Sequence, residues 1–102
     1  MRGNSPHFVN FSKLKKKEKK YQGTNESIAY EVDFSAWGTV SSVTSVTISP
    51  EATLTGSASL ANNIVTTPIL SGLTVGILYR MLITVVVDGN TMSGYILIES
   101  ET

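Results

Sequence analysis

The chain has no cysteine, a single histidine and a single tryptophan. Without cysteine there is no disulfide framework and no thiolate metal site. Many extracellular immunoglobulin-type domains carry a disulfide between their sheets; this one cannot, and a reducing compartment or assembly inside a cell suits it better than secretion. Without cysteine a Cys-His catalytic site is excluded, and with His7 as the only imidazole a Ser-His-Asp site is not expected. No apolar run reaches the roughly 18 residues needed to span a bilayer, so no membrane partner is expected. The first residues show no apolar segment of signal-peptide type. Phosphate-cradling glycine-rich loops leading into a helix are missing too, and no cofactor is implied.

What is present is a segregation of charge. Residues 1–22 hold seven basic residues against Glu18 alone, a net of +6, whereas residues 23–102 hold Arg80 against seven acidic residues, a net of −6. The reading is a basic arm over residues 1–24 joined to an acidic body over residues 25–102. The arm shows no sustained period. Phe8, Val9, Phe11 and Leu14 form a short apolar patch at the start of the lysine run, which comprises Lys13, Lys15, Lys16, Lys17, Lys19 and Lys20. Like charges four apart oppose a helix there, so the arm is expected to be mobile when alone.

From Ser27 onward the pattern is β. Ile28, Tyr30, Val32 and Phe34 alternate with Ala29, Glu31 and Asp33, as in a half-buried strand. A second strand ends at Val46 and Ile48. A third spans Ala52 to Leu60, with Gly56 at a bulge or close approach. Asn62-Asn63 makes a turn, and Ile64 to Leu70 follows as an edge strand because of Pro68. Residues 79–87 form a long strand, Asp88-Gly89-Asn90 a hairpin, and residues 93–99 the last strand. Six or seven short strands at close spacing, with no helical period, predict an antiparallel β-sandwich of immunoglobulin-like type.

The stretch from Ser71 to Arg80 adds a tighter expectation. Leu73, Gly76 and Tyr79 have the spacing of a tyrosine corner, in which the phenol reaches back to the backbone of the preceding crossover. These three residues, with Trp37, are the structural candidates. Trp37 is read as core or rim packing, with an exposed partner contact as the other reading.

Candidates for chemistry are few. His7 lies in the arm, where solvation explains it. Glu31 and Asp33 share one strand face, an arrangement that serves glycoside hydrolysis or a hard cation, but the strand's alternation already accounts for them as its solvent side. Asp88-Gly89-Asn90 resembles part of a calcium loop and lacks its remaining ligands. Neither a catalytic nor a metal site is expected, and the chain is not read as an enzyme. The lysine run has two open readings: a solvated leader, or a binding arm in which Phe8, Phe11 and Tyr21 join the lysines against nucleic acid or an acidic protein.

From about Ile28 to Ile98 the chain resembles the immunoglobulin-like fibre–tail adaptor or head–tail connector proteins of tailed bacteriophages. Three segments carry the resemblance: Tyr30-Glu31-Val32-Asp33-Phe34-Ser35-Ala36-Trp37, the corner from Ser71 to Tyr79, and the final hairpin at Asp88-Gly89 with its aliphatic strand. The resemblance implies a virion protein, assembled in the host cytoplasm and present in several copies as a homo-oligomeric ring. Its partners would be other neck, tail or fibre proteins, and no catalytic residue is carried over. Two other readings stand beside it. One is a nucleic-acid-binding module that uses the lysine-rich arm; the other is a carbohydrate-binding sandwich domain in which Trp37 stacks on a sugar.

Overall fold

Alternating apolar residues need a second apolar surface to cover them, and this chain supplies it by switching repeatedly from one sheet to another. The computed structural model describes residues 7–102, in which every regular element is a β-strand. The strands are β1 (Phe8–Asn10), β2 (Lys17–Gly23), β3 (Glu31–Asp33), β4 (Val40–Ser49), β5 (Thr53–Thr55), β6 (Ser59–Ala61), β7 (Ile64–Thr66), β8 (Ile69–Ser71), β9 (Leu78–Val87) and β10 (Asn90–Glu101). One four-stranded sheet has the order β1-β3-β7-β6, another has β2-β10-β9-β4, and β5 pairs with β8 in a small third sheet.

The core is built from the inward positions of both large sheets. Val9, Val32 and Val65 come from the first; Met81, Ile83, Val85, Ile96 and Ile98 come from the second. Ile28, Tyr30 and Phe34, around the short β3, are buried with them. The expected alternation from Ile28 to Phe34 is therefore present in burial, although only Glu31–Asp33 form ladder pairs.

Several boundaries differ from the sequence reading, each for a physical reason. Ala52 to Leu60 is two strands, because Gly56 takes φ of +89° and redirects the chain from the small sheet to the first large one. Ile64 to Leu70 is also two strands. Pro68 has no N–H to give a ladder, and the chain changes sheet beside it. β7 consequently lies inside its sheet, between β3 and β6, and not at an edge. β4 ends one residue past Ile48, where the sequence reading closes its second strand, and reaches back to Val40. Its inward residues Val40, Val43, Val46 and Ile48 are spaced three, three and two apart, which hides the strand period. Bulges between Val40 and Ser42 and between Val43 and Ser45 absorb the extra residues.

The two hairpins have the geometry their residues favour. Asn62 and Asn63 take φ of 52° and 66°, and Asp88 and Gly89 take 50° and 82°. Paired left-handed residues make the turn whose twist suits two-residue hairpins. Asp88 also accepts a hydrogen bond at Oδ1 from the Thr39 N–H at 3.2 Å, tying the hairpin to the loop before β4.

The largest correction concerns the N-terminal segment. Of the residues read as an arm, 1–6 lie outside the described residues. From Phe8 on, the segment belongs to the body and does not hang free. β1 pairs in parallel with β3, and β2 pairs in parallel with β10 over seven residues. Phe11 is fully buried between them. Its ring stacks on Trp37 at 5.7 Å and meets Phe34 edge-on at 5.5 Å. It also lies over Gly94 of β10, where an added Cβ would come within 2.6 Å of the ring. Farther along, Gln22 is wholly buried and satisfied on both sides. Its Nε2 donates to the Leu70 carbonyl at 2.8 Å and the Glu26 carbonyl at 3.1 Å, while Oε1 accepts from the Tyr30 hydroxyl at 2.9 Å. Burial raises the Tyr30 phenol above its ordinary pKa, helped by the charge of Glu26, so it remains a donor.

The corner forms as its spacing suggests. The Tyr79 hydroxyl accepts a hydrogen bond from the Thr74 N–H at 2.8 Å. Leu73 and Tyr79 are buried, and Gly76 takes φ of +83° in the connecting turn. Ser100 completes the brace from β10: its Oγ accepts from the Ile77 N–H at 3.1 Å and faces the carbonyls of Thr74 and Ile77.

Two stability outcomes are expected. Phe11→Ala should cost about 3–5 kcal/mol in urea unfolding, as for other buried aromatic truncations; a change near zero would restore the mobile-arm reading. Tyr79→Phe, which keeps the ring and strands the Thr74 N–H, should cost about 1–2 kcal/mol.

Candidate interaction surface

Among the described residues, no three acidic, histidine or cysteine side chains come together in a way that could hold a metal ion. Two of the carboxylates noted in the sequence, Asp33 and Asp88, have local structural roles. Asp33 Oδ1 accepts from the Ser35 N–H at 2.8 Å, turning the chain after β3. Asp88 secures its hairpin, and Glu99 pairs with Lys19 at 2.9 Å. His7 lies edge-on to the Tyr30 ring at 5.9 Å. One small cavity of about 60 Å³ is lined by Ala61, Asn62, Ile64 and Thr66, and a larger trough runs beside β4. Neither has a titratable group in its lining.

The structure separates the predicted binding residues of the N-terminal segment. Phe11 is core, which removes it from any partner contact. Phe8 is half-buried on β1, opposite Glu31. Lys13 is exposed in the turn between β1 and β2. Lys15 pairs with Glu18, and Lys20 approaches the same carboxylate at 3.8 Å. The Lys16 ammonium sits 5.5 Å from the centre of the Trp37 ring. Trp37 itself is 5% exposed, stacked on Phe11, and donates from Nε1 to the Ser12 carbonyl at 2.7 Å. With its indole enclosed in this way, it leaves no open face for a sugar ring.

Lys17 and Lys19 have a different setting. Strand alternation turns them outward from β2 with Tyr21, while Gln22 turns inward. Register then places them in rows across the outer face of the β2-β10-β9-β4 sheet. One row reads Tyr21, Glu99, Leu78; the next reads Lys19, Leu97, Arg80, Ser49; the third reads Lys17, Tyr95, Leu82, Thr47. Two of these positions are strongly exposed apolar groups, Tyr21 at 57% and Leu78 at 50%.

The electrostatics of this face are mixed but positive. Lys17, Lys19 and Arg80 stand against Glu99, three minus one, or +2. The Lys19 ammonium lies between Glu99 and the Tyr21 ring, 5.3 Å from its centre. The hydrogen bond and charge of Glu99 hold its pKa above the ordinary value. Arg80 lies 5.4 Å from the centre of the Tyr95 ring. Such cation–aromatic pairs hold long side chains flat on the sheet and leave both groups presented to a partner.

The lysines were visible in the sequence. Their partners Tyr95, Arg80, Leu82 and Leu97 were not, because only the pairing of β2 with β10 brings them onto one face. The runs of apolar residues in β9 and β10 do not alternate with polar ones, so the sequence carried no signal for which of them face outward. Compared with family models, curated proteins and solved structures, the chain matches none.

Proposed function

We propose that this chain is an immunoglobulin-like β-sandwich acting as a structural protein of a tailed-bacteriophage virion. It would be a multi-copy adaptor, arranged as a ring, that joins neck, tail or fibre proteins. The resemblance of the Tyr30–Trp37 segment, the tyrosine corner and the final hairpin motivates the family. The observation that carries an adaptor role is the outer face of the β2-β10-β9-β4 sheet. Leu82, Leu97 and Tyr95 occupy its middle, and lysines, serines and threonines surround them. An apolar centre inside a polar rim, with Tyr95 at the centre and Arg80 beside it, has the layout of protein–protein contacts. The basic rim favours a partner with an acidic border. Repetition around a ring would multiply a modest contact.

The same face supports a second reading. Tyr21 and Tyr95 lie beside Lys17, Lys19 and Arg80, and aromatic rings among cations suit single-stranded nucleic acid. The aliphatic centre argues for the protein partner, since Leu78, Leu82 and Leu97 have no role in stacking or in phosphate contact.

Mass spectrometry of purified particles is expected to find the chain there, in a copy number that matches a symmetric ring. Its confinement to the host cytosol would remove the adaptor reading. The nucleic-acid reading predicts binding to a thymidine oligonucleotide that weakens steeply with salt. Lys17→Ala with Arg80→Ala would then lower the salt slope by about 2. The adaptor reading predicts no binding at physiological salt.

A further inference from the structure

Among the described residues, the sheet that carries the basic face has two free edges, β2 on one side and β4 on the other. They are guarded differently. β2 carries Lys17, Glu18, Lys19 and Lys20, and charged side chains keep an edge hydrated and unpaired. β4 is ten residues long and contains neither a charge nor a proline. A long uncharged edge is a template for another strand.

Part of β4 is nevertheless protected. Its first N–H, at Val40, donates to Asn63 Oδ1 at 2.9 Å. The two bulges disturb the edge as far as Ser45. From Ser45 to Ser49 the pairing with β9 is regular, and Ser45, Thr47 and Ser49 are exposed on the outer face. Beside the strand runs a trough of about 320 Å³, between Val43–Val46 and the small residues Gly56, Ser57 and Ala58, with Pro68 at its wall. Small side chains there leave the approach to the edge open.

We propose that β4 is a strand-addition site whose occupant is β4 of a second copy of this chain. The strands pair antiparallel across a two-fold axis, joining two four-stranded sheets into one. Charge selects this pairing. Antiparallel self-pairing about a two-fold sets each strand against its own sequence. For β2 that brings lysines against lysines, which is unfavourable; for β4 it brings Ser and Thr against Ser and Thr, which can hydrogen-bond across the strands. The same asymmetry limits growth. Once the β4 edges are joined, the remaining edges are the charged β2 strands, so the assembly closes as an isologous dimer. The regular stretch is only about 17 Å long at strand spacing, well short of the roughly 800 Å² per partner of a standard stable interface. The dimer is therefore weak, in the upper micromolar range. This pairing stands independently of the virion reading.

Sedimentation equilibrium of the full chain, from about 10 μM to about 1 mM, tests it. A monomer–dimer equilibrium with no larger species is expected. S45K/T47K and S45E/T47E should each be at least tenfold weaker in self-association, and an equimolar mixture of the two should recover a dimer. K17S/K19S, on the opposite edge, should keep the β4 dimer and, with guard charges removed from β2, add larger species. Near-UV circular dichroism identifies which variants keep the native fold; if S45K/T47K does not, Thr47→Lys and Thr47→Glu, alone and mixed, replace the pair. A wild-type monomer throughout the range would overturn the proposal. So would a dimer that persists in a folded Lys variant, a mixture that fails to pair, or a dimer lost with K17S/K19S.

Discussion

The burial of Phe11 is the constraint on which the other features depend. A phenylalanine ring this far inside must displace everything else from its site, and here it fills the space between Phe34, Trp37 and the bare backbone at Gly94. Once it is seated, the residues on either side of it are fixed in space. Phe8–Asn10 lies along β3, and Lys17–Gly23 lies along β10. The lysine run becomes a strand because its neighbours in sequence are anchored, although lysine has little preference for sheets. Gln22 secures the far end through a fully satisfied buried network with Tyr30, Glu26 and Leu70.

That anchoring converts a block of like charge into an ordered pattern. As a free segment, the lysines would form a diffuse basic cloud. As β2, they divide by parity. Lys17 and Lys19 join Arg80 and two tyrosines on one sheet face, while Lys20 and Lys15 share Glu18. The face has direction and register, which a partner can recognise. The strand also guards one sheet edge, leaving the uncharged β4 as the other.

The legible parts of the fold were those written in local chemistry. Asp88-Gly89 and Asn62-Asn63 turn the chain because these residues tolerate left-handed backbone. Leu73, Gly76 and Tyr79 mark the corner because its hydrogen bond spans only five residues, to Thr74. The illegible parts involved distance or disguise. Ser100 braces the corner from the far end of the chain, and no local pattern announces it. The first part of β4, from Val40, was hidden by two bulges that break its period. The division of Ala52 to Leu60 and of Ile64 to Leu70 reflects a choice of sheet, which depends on what lies opposite rather than on the segment itself.

For this protein, the sequence by itself determined the β class, the turn positions, the corner and the segregation of charge, since each follows from residue type and short spacing. Only the tertiary structure decided that the basic segment is part of the sheet and which of its lysines face a partner. Pairing between residues 17–23 and 95–101 joins ends of the chain that are remote in sequence. Contacts of that range are selected by the shared core, and their consequences for the surface cannot be read from either segment alone.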